Sequence, residues 1–74
     1  MSPALPCISG RECAAALFKA GFYLKRQHGS HMILRRDNPL AQVVVPDHKV
    51  LDRGTLRAII RQAGLTVEEF VALL

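Results

Sequence analysis

Residues 22–46 read FYLKRQHGSHMILRRDNPLAQVVVP, three strand-like runs separated by two breaks. Residues 22–26 alternate, with Phe22 and Leu24 on one side and Tyr23 and Lys25 on the other, the period-two signature of a half-buried strand. Gly29-Ser30 interrupts the pattern and residues 31–36 resume it. Asp37-Asn38-Pro39 is a turn signature, and the β-branched run at 41–45 reads as a third strand. Pro46 closes that run because proline has no N–H for a ladder. Connections this short join antiparallel neighbours, so the stretch predicts a three-stranded meander. Met32, Ile33 and Leu34 are all apolar, which leaves open which face of the middle strand turns to the core.

Helical signals flank the meander. Ser9 and Glu12 have capping-box spacing, with Ile8 and Cys13 placed as a hydrophobic staple. Cys13, Ala16, Leu17 and Ala20 follow helical periodicity and Gly21 is a natural terminator, so a helix is expected over residues 10–20. After the strands, Asp52 is a good N-cap, and Leu56, Ile59, Ile60 and Ala63 form one apolar stripe that stops at Gly64. Thr66 and Glu69 make a second capping box with Leu65 and Phe70 as its staple; Val67, Phe70, Val71 and Leu74 line one face of a short last helix. The expected fold is α+β, in the order α-β-β-β-α-α, with the helices on one face of the sheet. Residues 1–6 are expected to be weakly anchored.

Seventy-four residues make one domain with a thin core. The formal net charge is +4, and all ten Lys and Arg lie between Arg11 and Arg61. A basic surplus of this kind suits a polyanion, since neutralising phosphates releases condensed counterions; it also fits a merely well-solvated surface. Two cysteines without C-x-x-C spacing make neither a disulfide framework nor a zinc site, and a reduced, cytoplasmic setting is expected. No signal peptide, transmembrane run or membrane association is expected.

His31 is the residue best placed to carry chemistry. It enters a strand after Gly29-Ser30, flanked by Lys25, Arg26, Arg35 and Arg36. An imidazole exchanges protons near neutrality, and neighbouring cations stabilise charge on phosphoryl oxygens. The same placement also fits an exposed strand-end histidine without a role. Gly29-Ser30-His31-Met32 spells the remnant of a cleaved expression tag, but it lies behind a capped helix and a strand and is read as native. Arg53, Arg57 and Arg61 recur every fourth residue and form a basic band suited to a phosphate backbone, or a solvated helix face. His28 and His48 are secondary candidates. On a flat strand His28 and His31 would lie on opposite faces, although the Gly-Ser turn offers a way to join them. No acidic or cysteine cluster accompanies them, so neither a metal nor another cofactor is expected.

Four stretches, taken together, resemble the HicA toxins of bacterial HicA–HicB toxin–antitoxin systems. They are Ile8-Ser9-Gly10; Ala20-Gly21-Phe22 leading to Arg26-Gln27-His28-Gly29-Ser30-His31; Val45-Pro46-Asp47-His48; and the run from Gly54-Thr55-Leu56 to Ala63-Gly64-Leu65. The resemblance spans residues 5–74. It implies a fold like the double-stranded-RNA-binding domain, with the last helix as a short addition. It also implies an mRNA-cleaving ribonuclease whose catalytic histidine follows Gly-Ser, here His31, and a HicB-type antitoxin that blocks the active surface. Two positions depart from the family pattern. Arg53 stands where proline is often found, and His28 stands where a basic or polar residue is usual.

The expected activity is therefore metal-independent endoribonuclease cleavage with His31 as the catalytic residue. Lys25, Arg26, Ser30, Arg35, Arg36, Arg53, Arg57 and Arg61 are expected to contact RNA. The general acid is left open among His48, Tyr23 and a lysine. A non-catalytic RNA-binding module is the alternative, and it gives Gly29-Ser30-His31 no task.

Overall fold

The computed structural model describes residues 5–74. Helix α1 (Gly10–Lys19) leads into strands β1 (Tyr23–His28), β2 (His31–Asp37) and β3 (Leu40–Pro46), followed by helices α2 (Arg53–Gln62) and α3 (Val67–Ala72). The sheet is antiparallel in the order β1-β2-β3, so the α+β meander is present.

The helix ends form as their local sequences dictate. In α1 the Ser9 Oγ accepts from the Glu12 N–H at 3.0 Å while Glu12 Oε1 accepts from the Ser9 N–H at 3.0 Å. Thr66 and Glu69 repeat this reciprocal pair at α3. Both long helices end in a Schellman motif. At α1, Gly21 N–H donates to Phe18 O and Phe22 N–H to Leu17 O; at α2, Gly64 N–H donates to Arg61 O and Leu65 N–H to Ile60 O. Gly21 and Gly64 have φ of 94° and 77°, a region that L side chains avoid.

The core lies between the helices and one face of the sheet. Leu17, Leu34, Val43, Val45, Leu56 and Phe70 are fully buried within it, each contributing about 1.5–3 kcal/mol by leaving water. Cys13 is buried with them, and desolvation pushes its thiol up to about 12; it packs as a small apolar residue and is not a nucleophile. Leu5 is also in the core at 4% exposure. The weak anchoring expected of residues 1–6 therefore does not extend to Leu5, and residues 1–4 lie outside the described residues.

The register settles the faces. Met32 and Leu34 are buried against the helices, so His31, Ile33, Arg35 and Asp37 alternate onto the uncovered face. Leu24 pairs with Leu34 and shares the helical side with Phe22, but it is 47% exposed where Phe22 is 4%. The helices pack over β3 and every residue of β1 is exposed, so the alternation gave the side of Leu24 and not its burial.

Candidate nucleic-acid interface

One irregularity decides what the open face carries. The β1–β2 register runs Leu24↔Leu34 and then Arg26↔Ile33, leaving Lys25 as the extra residue of a β-bulge. An inserted residue reverses the side-chain parity of everything beyond it. Without the bulge Arg26 and His28 would follow Leu24 onto the helical side. With it they join Tyr23 on the open face, and His28 stands directly opposite His31. Of the two arrangements the sequence left open, the Gly-Ser turn joins the histidines on one face. Opposed residues of an antiparallel pair hold their β-carbons about 5 Å apart, and both side chains are exposed.

The turn between them is Gly29-Ser30, with Gly29 at φ 54°. Its tip is fastened to the rest of the fold: the Asp47 N–H donates to Ser30 O at 2.6 Å, and the Gly10 N–H donates to His48 O at 2.9 Å. Arg11 grips the Asp47 carboxylate through Nε at 3.1 Å and Nη2 at 3.3 Å. Arg11 was not singled out from the sequence. The available signal was a cation in the first turn of a helix, where the dipole disfavours it unless a carboxylate is held nearby.

At the far end of β1, Tyr23, Arg35 and Asp37 form a network. Arg35 Nε donates to Asp37 Oδ1 at 2.8 Å, and the Tyr23 hydroxyl donates to the same carboxylate at 3.2 Å. The Arg35 bond, foremost, holds the Asp37 carboxyl below its usual range. Desolvation, followed by the bond to Asp37, holds the Tyr23 hydroxyl above its own. Arg35 therefore shares the open face with His31 with part of its charge answered by Asp37. Lys25 and Arg26 make no ion pair among the described residues.

Arg36 does not belong with them. It alternates to the helical side, where its guanidinium donates to Pro39 O at 2.9 Å and Ala63 O at 3.1 Å. The guanidinium carbon also stands 4.7 Å from the Phe22 ring centroid. These contacts fasten β2 to the end of α2 and hold Arg36 on the helical side, apart from His31. Arg53, Arg57 and Arg61 are exposed on α2, on the helical side of the sheet and away from the open face of His31. His48 is exposed beyond the end of β3.

Two surface grooves among the described residues are lined without a histidine. One, of about 310 Å³, is lined by Phe18, Leu24, Met32 and their neighbours between α1 and β1; the other lies between α1 and the C-terminal end at Leu73 and Leu74. No group of three or more His, Cys, Asp or Glu side chains suited to a metal occurs among the described residues. No helix among them is long and apolar enough to cross a membrane.

Fold and site together define a small basic α+β domain that displays His28, His31, Arg26 and Arg35 on the uncovered face of a three-stranded sheet. Residues 10–65 match the family model described as HicA toxin of bacterial toxin-antitoxin. The match covers most of the chain, and the protein belongs to the HicA toxin family. It is thus the toxin of a toxin–antitoxin system, a nuclease at the level the family defines, whose counterpart is an antitoxin. A comparison with curated proteins gives no match.

Proposed function

We propose that this toxin is an endoribonuclease that cleaves mRNA in the cytoplasm without a metal, using His31 as the catalytic base. The observation that carries the reading is the position of His31: exposed on the open face, beside the fastened Gly29-Ser30 turn, and next to Arg26 on the neighbouring strand. His31 takes the proton of a ribose 2′-hydroxyl, and the 2′-oxygen attacks the adjacent phosphorus. Departure of the 5′-oxygen leaves a cyclic phosphate and a 5′-hydroxyl. Lys25, Arg26 and Arg35 supply positive potential where the phosphoryl oxygens gather charge, with Ser30 at the turn. Arg53, Arg57 and Arg61 attract more distant phosphates.

A flat, accessible face suits a polymer better than an enclosed pocket does. It also suits a blocking partner. Tyr23, Leu40 and Val44 are 43%, 69% and 46% exposed and alternate onto the same face as His31, giving a HicB-type antitoxin apolar surface to cover beside the basic residues.

The experiment compares wild type with His31→Ala on a defined RNA in excess chelator. Cleavage by wild type and its loss in the variant is the expected result. Undiminished cleavage by the variant removes His31 from the chemistry, and loss of wild-type cleavage in chelator points to a metal. Salt-dependent RNA binding with cleavage by neither protein identifies a binding module.

A further inference from the structure

We infer that His28 is the general acid that protonates the leaving 5′-oxygen, forming an acid–base couple with His31 across the β1–β2 hairpin. The inference rests on the endoribonuclease reading and supplies the proton donor it lacks.

The strand register singles out one donor. Tyr23 stands at the other end of β1, roughly 15 Å from His28 at the strand rise per residue, with its hydroxyl donating to Asp37. His48 lies two residues past Pro46 at the end of β3, outside the sheet register that pairs His28 with His31. Lys25 is the bulge residue, several residues back along β1, and its charge acts on Asp37. His28 alone is in direct register with His31. Its ring makes no hydrogen bond to the protein among the described residues and is free to meet a substrate.

In-line displacement needs a proton acceptor on the attacking side of the phosphate and a donor on the leaving side. Two imidazoles rooted about 5 Å apart on adjacent strands can flank one phosphodiester from a single face. Neutral His31 takes the 2′-hydroxyl proton as the 2′-oxygen to phosphorus bond forms. The bond from phosphorus to the 5′-oxygen breaks, and protonated His28 gives its proton to that oxygen. The cycle leaves His31 protonated and His28 neutral, and exchange with water restores both. The charged and titratable groups bordering the couple are Arg26 and Lys25 on β1, and Asp47, held by Arg11, with His48 beyond β3.

The test uses the full chain with His28→Ala and His28→Gln, both at an exposed position, each first checked for a native circular dichroism spectrum. Two substrates are compared: an ordinary RNA, and the same RNA with sulfur in place of the 5′-oxygen at the scissile position. A thiolate departs without protonation, so a missing general acid matters little there. The expected result is a fall of about 10²–10⁴-fold on ordinary RNA, with near-wild-type cleavage of the sulfur substrate. His31→Ala should fail on both. Full activity of the His28 variants on ordinary RNA overturns the assignment, as does an equal loss on the two substrates, which marks a binding or positioning role. Failure of wild type to cleave either substrate overturns the endoribonuclease reading itself, a result distinct from these.

Discussion

Replacing Gly10 with alanine should destabilise the protein although it places a better helix former in a helix. Gly10 opens α1, and a β-carbon built there would overlap the Pro46 carbonyl oxygen and stand 2.9 Å from its carbon and 3.2 Å from Asp47 Cα. All three atoms are backbone, so no rotamer change relieves the clash. Alanine brings at most about 1 kcal/mol of helix propensity. Against that stands overpacking, which costs about 1–3 kcal/mol even where side chains can yield. Parting α1 from β3 also stretches the bond from Gly10 N–H to His48 O, a further loss of about 1 kcal/mol. The expected net loss is about 1–3 kcal/mol, which in a domain of this size lowers Tm by roughly 5–25 °C. Thermal and urea unfolding followed by far-ultraviolet circular dichroism reads it. Gly54→Ala is the matched control in the first turn of α2, where the only neighbour within 4 Å is Asp52 Oδ1 at 3.2 Å; its stability should change by less than about 1 kcal/mol. A Gly10→Ala variant that melts with the wild type or above it would refute the close approach of α1 to the end of β3.

Arg36→Ala should cost about 2–3 kcal/mol in urea unfolding, from two charge-assisted hydrogen bonds and the Phe22 contact; an effect no larger than that of Arg57→Ala would remove its structural role. Asp52 is held below the usual carboxylate range, first by the Thr55 hydroxyl and then by the Thr55 N–H, so its contribution is complete above that range and is lost as pH falls through the lowered value. Asp52→Asn keeps an N-cap that does not titrate, and its acid-side stability should fall less steeply than that of wild type; an unchanged slope counts against the cap. Asp37, lowered in the same sense by Arg35, adds to the acid sensitivity that remains. Arg26→Ala should weaken RNA binding and flatten the dependence of log K on log salt by roughly 0.7, the value for one single-strand phosphate contact. Arg36→Ala should leave that slope unchanged, and an equal effect of both would undo the distinction between the two faces.

What the sequence discloses here is what local chemistry controls. Capping boxes at Ser9 and Thr66, the Asp52 cap and the terminators Gly21 and Gly64 involve residues within a few positions of one another, and all were legible. The face of β2 was not, because Met32-Ile33-Leu34 has no polar member to mark the pleat. The different duties of Arg35 and Arg36 were equally hidden: adjacent arginines in a strand point to opposite sides, and only the helices decide which side is covered. The bulge at Lys25 is a property of pairing between two strands, so residues 22–26 alone cannot reveal it. His28 was visible as a candidate, and its position relative to His31 stayed open between a flat strand and the Gly-Ser turn.

The stretches that carry the family resemblance are scattered along the chain, and three of them converge in space. Ile8 O accepts from the Leu51 N–H, Gly10 N–H meets His48 O, and Ser30 O accepts from the Asp47 N–H. The start of α1, the hairpin tip and the exit from β3 are thus tied together by backbone bonds, and the Arg11–Asp47 pair adds a side-chain tie. A two-residue turn at the end of an uncovered edge strand would otherwise be among the first elements to fray. An acid–base couple built on it would then lose the alignment that proton transfer needs. Anchoring the turn through Ser30 O leaves both imidazoles free while holding the backbones from which they project. On this reasoning the motif around Pro46-Asp47-His48 serves the chemistry by fixing the hairpin, and His48 need not touch the substrate for its segment to matter.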